Sequence, residues 1–432
     1  MEIKRYEQLD EVLYTDKLEN GLTIKLLPKK GFHKTFALFS TDYGSIDNEF
    51  IPLGENAQIR VPDGIAHFLE HKLFEKEEGD VFQVFGKYGA SANAFTSFSK
   101  TAYLFSSTNR VKDNLETLLD FVQEPYFTDK TVEKEKGIIA QEIRMYDDSP
   151  DWRLLFGLLE NLYPNHPANT DIAGTVDSIQ QITSELLYTC YRTFYHPGNM
   201  TLTVIGNIDP EEVHGWIQAN QSKKEFPPFT AIQRFLPGTE LENVEPFRSI
   251  EMPVNRPKAI VGIKGTRPHK EDASDLRFRI GMDLLLKMLF GPTSANYLKL
   301  YDSGLIDDSF SYEFSYERSF DFLSVGGDTK DPDGLTDVLK EILLSAKNSP
   351  EMTEENFELV KKRSIGQMLQ AMNSIEYLAH QFIEADYGEA NVFDIVPIME
   401  DITLEELQEL ADCYMKAPVL SAFHILPRGE DQ

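Results

Sequence analysis

The residues whose spacing suits metal chemistry lie in the segment 64–71, where two histidines flank a glutamate. Residues three and four apart share one face of an α-helix, so His67, Glu70 and His71 would point to the same side. Two imidazoles one turn apart form a bidentate site for a borderline divalent metal such as zinc. The carboxylate beside them is placed to take a proton from a water molecule at that metal. This segment therefore predicts the centre of a metal site.

A second acidic stretch, residues 133–142, offers a further ligand. Glu135 and Glu142 are seven residues apart, so they would share a helical face, with Ile138 and Ile139 packed between them. Two histidines and one carboxylate form a three-ligand site whose fourth position is open, as in catalytic zinc sites. Each pattern alone has an ordinary explanation, because paired histidines are often solvated and the chain holds 71 acidic residues. The combination of the two stretches is what predicts metal catalysis.

The spacing His67-x-x-Glu70-His71, with the two glutamates downstream, resembles the inverted zinc motif of the pitrilysin/insulinase family of metallopeptidases. The resemblance is stronger to bacterial relatives of mitochondrial processing peptidase. It implies one Zn²⁺ per chain, held by His67, His71 and Glu142, with Glu70 as the general base on the zinc-bound water. Glu135 would be an outer carboxylate that orients a ligand or the motif helix. Three further blocks, at residues 20–22, 91–96 and 195–200, also resemble the family.

The stretch 90–98 is rich in small residues and carries β-forming residues at its end, and residues 101–106 form a clearer predicted strand. Such a stretch suits an exposed sheet edge where an extended peptide pairs through main-chain hydrogen bonds. A loop, or a strand buried under the motif helix, fits the residues equally well. The family resemblance favours substrate binding, with Asn93 and Ala94 facing the peptide.

Composition excludes several classes of partner. The formal net charge is −29 and the sequence pI is near 4.7, so the surface repels nucleic acid and anionic membranes and would attract cationic peptides. No apolar run approaches the ~20 residues that a membrane span needs, and residues 1–6 lack the apolar core of a signal peptide. Cys190 and Cys413 lie far apart and match no metal spacing, which favours a reducing compartment. We therefore expect a soluble, cytoplasmic protein without nucleic-acid or membrane partners.

The order of predicted elements repeats along the chain, which indicates an internal duplication with diverged sequence. The fold class predicted is α+β, with two similar α/β-sandwich halves, each a mostly antiparallel sheet covered by helices, joined by a linker. The limits are an N-terminal catalytic zinc-binding domain at 1–218, a proline-bearing linker at 219–247, and a C-terminal non-catalytic homologous domain at 248–432. The second half has no inverted motif, so it is not expected to bind a second metal.

Helical periodicity predicts the elements that position these residues. A helix over 132–146 would carry the two glutamates and would end before Pro150, which disfavours helix at the preceding residue. A further helix is predicted over 153–162. In the second half, a strand is predicted over 258–263 and one long helix over 354–377.

The resemblance implies a zinc metalloendopeptidase that hydrolyses unfolded peptides, or leader and processing segments, inside a clamshell chamber formed by two such chains. One alternative is a catalytically silent or peptide-binding assembly subunit of a peptidase-like complex. Such family members usually have a damaged motif, whereas all five positions are intact here. A different hydrolase that uses the same ligands is the other alternative.

One departure from the family concerns the second half. The family usually carries an Arg and a Tyr seven residues apart around a Gly-Leu pair, and the pair here is residues 304–305. Leu300 and Asp307 stand where the Arg and the Tyr would be, and neither side chain donates a hydrogen bond to an oxyanion. The resemblance therefore implies a heterodimer with a paralogous subunit that supplies the Arg/Tyr pair. A shifted alignment, with Tyr301 or Tyr312 in that role, is the alternative.

Overall fold

The computed structural model describes residues 1–77, 79–237, 244–384 and 387–428, and its longest sheet has seven strands. The strands of the first part of the chain are β1 (Glu2–Tyr6), β2 (Glu11–Lys17), β3 (Thr23–Pro28), β4 (Thr35–Thr41), β5 (Glu49–Phe50), β6 (Ile59–Arg60), β7 (Glu75–Lys76), β8 (Gly79–Asp80), β9 (Ser91–Thr96), β10 (Thr101–Ser107) and β11 (Met200–Gly206). The order in the large sheet is β1-β2-β3-β11-β4-β10-β9, which leaves β9 at an edge. Only the pair β3–β11 within this sheet is parallel. Every residue of the central strand β4 is buried, as expected for a strand covered on both faces.

The helices before the second sheet include the one that carries the inverted motif. They are α1 (Ile65–Leu73), α2 (Val81–Lys87), α3 (Val111–Gln123), α4 (Asp129–Asp147), α5 (Pro150–Leu162), α6 (Val176–Ile179), α7 (Ser184–Phe194) and α8 (Pro210–Gln221). Helix α1 contacts β9, β10 and α7. Its apolar side chains Ile65, Phe68, Leu69 and Leu73 are all buried. Burial of these side chains holds α1 against the edge of the sheet, as its apolar face predicts.

A second sheet repeats the strand order of the first. Its strands are β12 (Phe247–Met252), β13 (Lys258–Lys264), β14 (Ser311–Tyr316), β15 (Asp321–Asp328) and β16 (Leu420–Pro427), and its helices are α9 (Ala273–Phe290), α10 (Ala295–Asp302), α11 (Pro332–Leu344), α12 (Glu354–Ala371), α13 (Ile375–Gln381), α14 (Ile395–Asp401) and α15 (Leu404–Tyr414). The order β12-β16-β13-β15-β14 matches β3-β11-β4-β10-β9 strand for strand. In both orders the first two strands pair in parallel, β3 with β11 and β12 with β16, and the other neighbouring strands are antiparallel. This match supports the predicted fold class of two similar sheet-and-helix halves.

Two compact units group these elements, and neither is continuous in sequence. The first comprises Met1–Ile143, Asp171–Leu236 and Met372–Glu384, and the second comprises Arg144–Thr170, Pro237–Ala371 and Ala385–Gln432. Helix α5 therefore belongs with the second sheet, against β13 and β16, and α13 belongs with the first, against β4 and β11. The predicted domains 1–218 and 248–432 are each continuous in sequence, and these limits stay a prediction.

The packing of α5 against the second sheet has a steric basis within the second unit. A Cβ added at Gly157 would lie 2.3 Å from the ring of Phe423 on β16, so the bare glycine lets the ring pack against the helix backbone. The Asn161 side chain donates to the Ala422 carbonyl oxygen at 3.1 Å, and the Tyr163 hydroxyl donates to the Asp321 carbonyl oxygen at 2.6 Å. The sequence predicted a helix over 153–162 but did not specify which sheet it packs against.

Several element limits differ from the sequence-based ones. The predicted single helix over 354–377 was wrong, because α12 ends at Ala371 and α13 starts at Ile375, with the Ser374 side chain capping the backbone N–H of Tyr377. Pro150 does not merely stop α4; it occupies the first turn of α5, where its missing N–H costs nothing. Residues 238–243 of the predicted linker lie outside the described residues. Of the linker residues that are described, 222–237 hold no helix or strand beyond a single bridge.

Among the described residues, none of the helices combines the length and the hydropathy required to cross a bilayer.

Candidate metal site

The motif helix begins at a glycine with a left-handed backbone. Gly64 precedes α1 with φ +87°, and its carbonyl oxygen accepts from the Phe68 N–H at 2.9 Å. The apolar face of α1 lies against the sheet. The three side chains of the motif lie on the polar face of this helix and are nevertheless largely buried. His67 is 9% exposed and Glu70 8% exposed, and His71 is partly exposed.

Helix α4 supplies the two glutamates. Its buried side chains are Val132, Ile139, Ala140 and Ile143. Ile138 was predicted to pack between the glutamates together with Ile139, but it is 47% exposed. Ile139 is buried, so the structure covers one of the two isoleucines and leaves the other exposed.

Three donor groups from α1 and α4 converge. The Nε2 atoms of His67 and His71 lie 3.6 and 3.5 Å from the two carboxylate oxygens of Glu142. One donor atom from each of the three residues falls within 4.8 Å of the others, and among the described residues this is the set of histidine, cysteine and acidic side chains that meets the geometry for holding an ion. The structure therefore brings together the three residues predicted as ligands.

Glu135 lies behind one of these donors. Its Oε1 atom is 3.1 Å from Nδ1 of His71. A carboxylate in that position keeps the proton of a neutral imidazole on Nδ1, which directs the lone pair of Nε2 toward Glu142. The predicted role of Glu135 in orienting a ligand is consistent with this contact.

The donor set fits zinc. Two imidazole nitrogens and one carboxylate are ordinary zinc ligands, and three of them leave a position for a reactant. Metal ligation needs a deprotonated imidazole, and burial, followed by the charge of His71, lowers the pKa of His67 to about 3. For His71 burial lowers the pKa, but the hydrogen bond to Glu135 and the nearby carboxylates outweigh it and raise the pKa overall. His67 is thus held neutral by its surroundings.

Glu70 is not one of the three converging donors, and its surroundings shift the pKa of its carboxyl group. Burial raises the pKa of its carboxyl to about 7, partly opposed by a hydrogen bond from Thr96 and the charge of His71. The Thr96 hydroxyl donates to Oε2 of Glu70 at 2.6 Å. A carboxyl group with a pKa near neutrality can both take up and release a proton, which is what a general base and acid requires.

The predicted substrate-binding residues lie on the edge strand. Asn93 and Ala94 are opposite Leu104 and Tyr103 of β10, and the Ala94 N–H donates to Oδ1 of Asn93 at 3.0 Å. Asn93 is exposed. The residues 91–96 are thus a strand at a sheet edge, which was one of the interpretations left open by the sequence.

Sequence reasoning missed Thr96 as a partner of Glu70. The residue lies inside the family-like block 91–96, but a threonine in a β-forming stretch gives no signal of its hydrogen-bond partner. It also missed the fit of Gly64, where a Cβ would lie 2.3 Å from the carbonyl oxygen of Ala173. Both contacts join segments that are distant in sequence.

Comparison with protein families and with curated proteins identifies relatives of this chain. Residues 51–176 match the model described as "Insulinase (Peptidase family M16)", and residues 181–364 match "Peptidase M16 inactive domain". A protein of Bacillus subtilis (strain 168), named "Uncharacterized zinc protease YmfH", is 52% identical over 98% of this chain and 99% of its own length.

Solved structures show the same fold. The structure of an M16-like peptidase from Alicyclobacillus acidocaldarius is similar with a TM-score of 0.92 and 38% identity, covering 97% of this chain and 99% of that one. A protease from Helicobacter pylori is similar in fold alone, with a TM-score of 0.81 and 19% identity over 96% of this chain and 99% of that chain.

Proposed function

Since the chain belongs to peptidase family M16, the insulinase family, we propose that it is a zinc-dependent endopeptidase. The observation that carries the proposal is the convergence of His67, His71 and Glu142 within 4.8 Å, with the buried carboxylate of Glu70 on the same helix as the two histidines. The proposal assigns one Zn²⁺ to the chain, held by these three residues. Relatives with the name zinc protease support the choice of metal.

In this proposal each side chain has a separate task. Zinc, when bound, supplies a Lewis acid that polarises the scissile carbonyl group. Glu70 accepts a proton from the attacking water and passes it to the nitrogen of the leaving amine. Glu135 holds the His71 ring through Nδ1 so that Nε2 faces the site.

The substrate proposed is an unfolded peptide, or a leader or processing segment, bound inside a chamber formed by two chains. Strand β9 ends its sheet, so its outer edge can pair with an extended peptide through main-chain hydrogen bonds. Asn93 and Ala94 on this strand would face the peptide. The net charge of −29 favours cationic segments. A cytoplasmic location, with no nucleic-acid or membrane partner, belongs to the same proposal.

We further propose that the working enzyme is a heterodimer. Leu300 is buried within α10, and Asp307 hydrogen-bonds Ser309 and forms an ion pair with Arg256. The hydrogen bond from Ser309, together with the charge of Arg256, lowers the pKa of Asp307, so this side chain is an anion at neutral pH. Neither residue is a donor for an oxyanion, and the loss of one such donor costs on the order of 10²–10³ in rate. A paralogous subunit with an intact Arg/Tyr pair would supply the donors.

The test incubates the purified chain with a mixed peptide library and zinc, with and without candidate paralogues, and reads the cleavage sites by mass spectrometry. Wild type is expected to cleave in the presence of a paralogue. Glu70→Gln is expected to retain zinc and to lose hydrolysis, because an amide cannot accept the proton. Full hydrolysis by zinc-loaded Glu70→Gln would contradict the role of Glu70.

The same assay judges the heterodimer. Robust hydrolysis by the chain alone at high concentration, abolished by Glu70→Gln, would show that no paralogue is needed. Absence of hydrolysis in every pairing, despite bound zinc, would instead contradict the peptidase proposal.

A further inference from the structure

We propose that Thr96 is a positioning residue that fixes the general base Glu70 through a buried hydrogen bond and links it to the substrate-binding edge strand. This inference rests on the proposed peptidase function. It assigns to Thr96 the task of holding one carboxylate oxygen of Glu70, so that the other oxygen is left to accept the proton of the attacking water.

The direction of the hydrogen bond follows from the surrounding groups. The Thr96 hydroxyl lies 2.6 Å from Oε2 of Glu70 and 3.4 Å from the hydroxyl of Thr101. The Thr101 hydroxyl donates its own proton to the carbonyl oxygen of Tyr43 at 2.9 Å. An ionised carboxylate only accepts hydrogen bonds. The proton of Thr96 is therefore directed to Glu70, and the shorter of its two contacts is the one to the carboxylate.

The burial of Glu70 makes this bond consequential. The side chain is 8% exposed, and the hydrogen bond that the described residues give to its carboxylate comes from Thr96. A hydrogen bond to a charged acceptor is shorter and stronger than one between neutral groups. Without it, the carboxylate would turn about its terminal side-chain bonds, and its free oxygen would lose a defined direction.

Thr96 also connects the base to the edge strand. It is the last residue of β9, two positions after Ala94, and it pairs with Thr101 of β10. A peptide that pairs with the outer edge of β9 would restrain this strand along its length. Because Thr96 belongs to this strand, the same restraint would fix the hydroxyl that holds Glu70. Substrate pairing and the orientation of the base would then depend on one strand.

The experiment compares Thr96→Val, Thr96→Ser and a matched control, Thr203→Val. Thr203 is a fully buried threonine of β11 in the same sheet, and its hydroxyl has no hydrogen-bond partner among the described residues. All three variants are assayed in the peptide-cleaving complex, together with their zinc content. The isosteric change to valine removes the hydroxyl while the side-chain shape is kept, and serine restores the donor.

We expect Thr96→Val to lower kcat on the order of 10- to 100-fold, as for other groups that orient an active-site residue. KM is expected to stay within about twofold, because the lost interaction acts on the base and not on substrate binding. Thr96→Ser is expected to recover most of kcat, and Thr203→Val to match wild type. Wild-type kcat in Thr96→Val, or a loss that serine does not restore, would overturn the proposal.

A second measurement is independent of activity. A double-mutant cycle between Thr96→Val and Glu70→Ala is measured by urea unfolding of chelator-treated protein. Non-additive shifts of the unfolding midpoint are expected, since the two side chains share one bond. Additive shifts would overturn the proposal even if catalysis changes. Failure of the peptidase function itself is recognised separately, because wild type and Thr203→Val would then both be inactive.

Discussion

Replacement of Gly64 by alanine tests whether the entry of the motif helix is sterically defined. Gly64 has φ +87°, and an added Cβ would lie 2.3 Å from the carbonyl oxygen of Ala173 and 3.0 Å from Cα of Gly174. Gly174 faces it reciprocally, with an added Cβ 2.5 Å from the carbonyl oxygen of Asp63. Ordinary contact begins near 3.4 Å, so the two backbone segments would have to separate by 3.4 − 2.3, or about 1.1 Å.

Two costs add in Gly64→Ala. A left-handed backbone costs a non-glycine residue about 1 kcal/mol, and the forced backbone shift costs about 1–3 kcal/mol, as in other overpacked sites. The free energy of unfolding should therefore fall by about 2–4 kcal/mol. His67 lies three residues further along α1, and zinc ligands tolerate only about ±0.2 Å in distance. Zinc affinity should therefore also fall, on the order of 10- to 100-fold.

Gly54→Ala is the matched control. Gly54 has a similar φ of +82°, but an added Cβ would meet nothing within 4 Å. This variant should lose only the backbone cost of about 1 kcal/mol and should bind zinc like wild type. Urea unfolding of chelator-treated protein and competition with a chromophoric zinc chelator measure both quantities. Equal unfolding free energies and equal zinc affinities for the two variants would refute the steric reasoning.

Three further changes have definite expected outcomes. Glu142→Gln should release zinc, whereas Glu135→Gln should weaken it about 10- to 100-fold; metal analysis that shows the reverse would exchange the two roles. Gly157→Ala should destabilise the chain by about 1–2 kcal/mol in urea unfolding. Gly215→Ala is its control, because nothing lies within 4 Å of its added Cβ, and it should stabilise the chain by up to about 1 kcal/mol. Equal effects of the two changes would contradict the packing argument for α5. Burial, then the charge of a nearby lysine, lowers the pKa of His166 from 6.5 to about 4, so the unfolded chain binds a proton that the folded chain resists. Stability should fall by about 3 kcal/mol from this group as pH drops from about 6.5 to about 4, and His166→Asn should show a correspondingly smaller acid loss in unfolding measured across that range.

The sequence alone predicted the parts of the site that depend on local geometry. His67, Glu70 and His71 share a face because the helical period is a property of the backbone, independent of what packs around it. The same period placed Glu135 and Glu142 together on α4. The repeated order of elements also predicted two similar halves, because strands and helices leave local signatures in the pattern of apolar residues.

Contacts between distant segments were decided by the tertiary structure. Ile138 is exposed although its apolar character suggested burial, because an apolar side chain on a helix is buried only where another element covers that face. An amphipathic helix has a face that must be covered, but its sequence does not state which sheet covers it. The sheets against which α5 and α13 pack could therefore not be predicted from the sequence. A hydroxyl group likewise does not encode its acceptor. The hydrogen bond from Thr96 to Glu70 exists only because sheet packing brings the end of β9 under the motif helix.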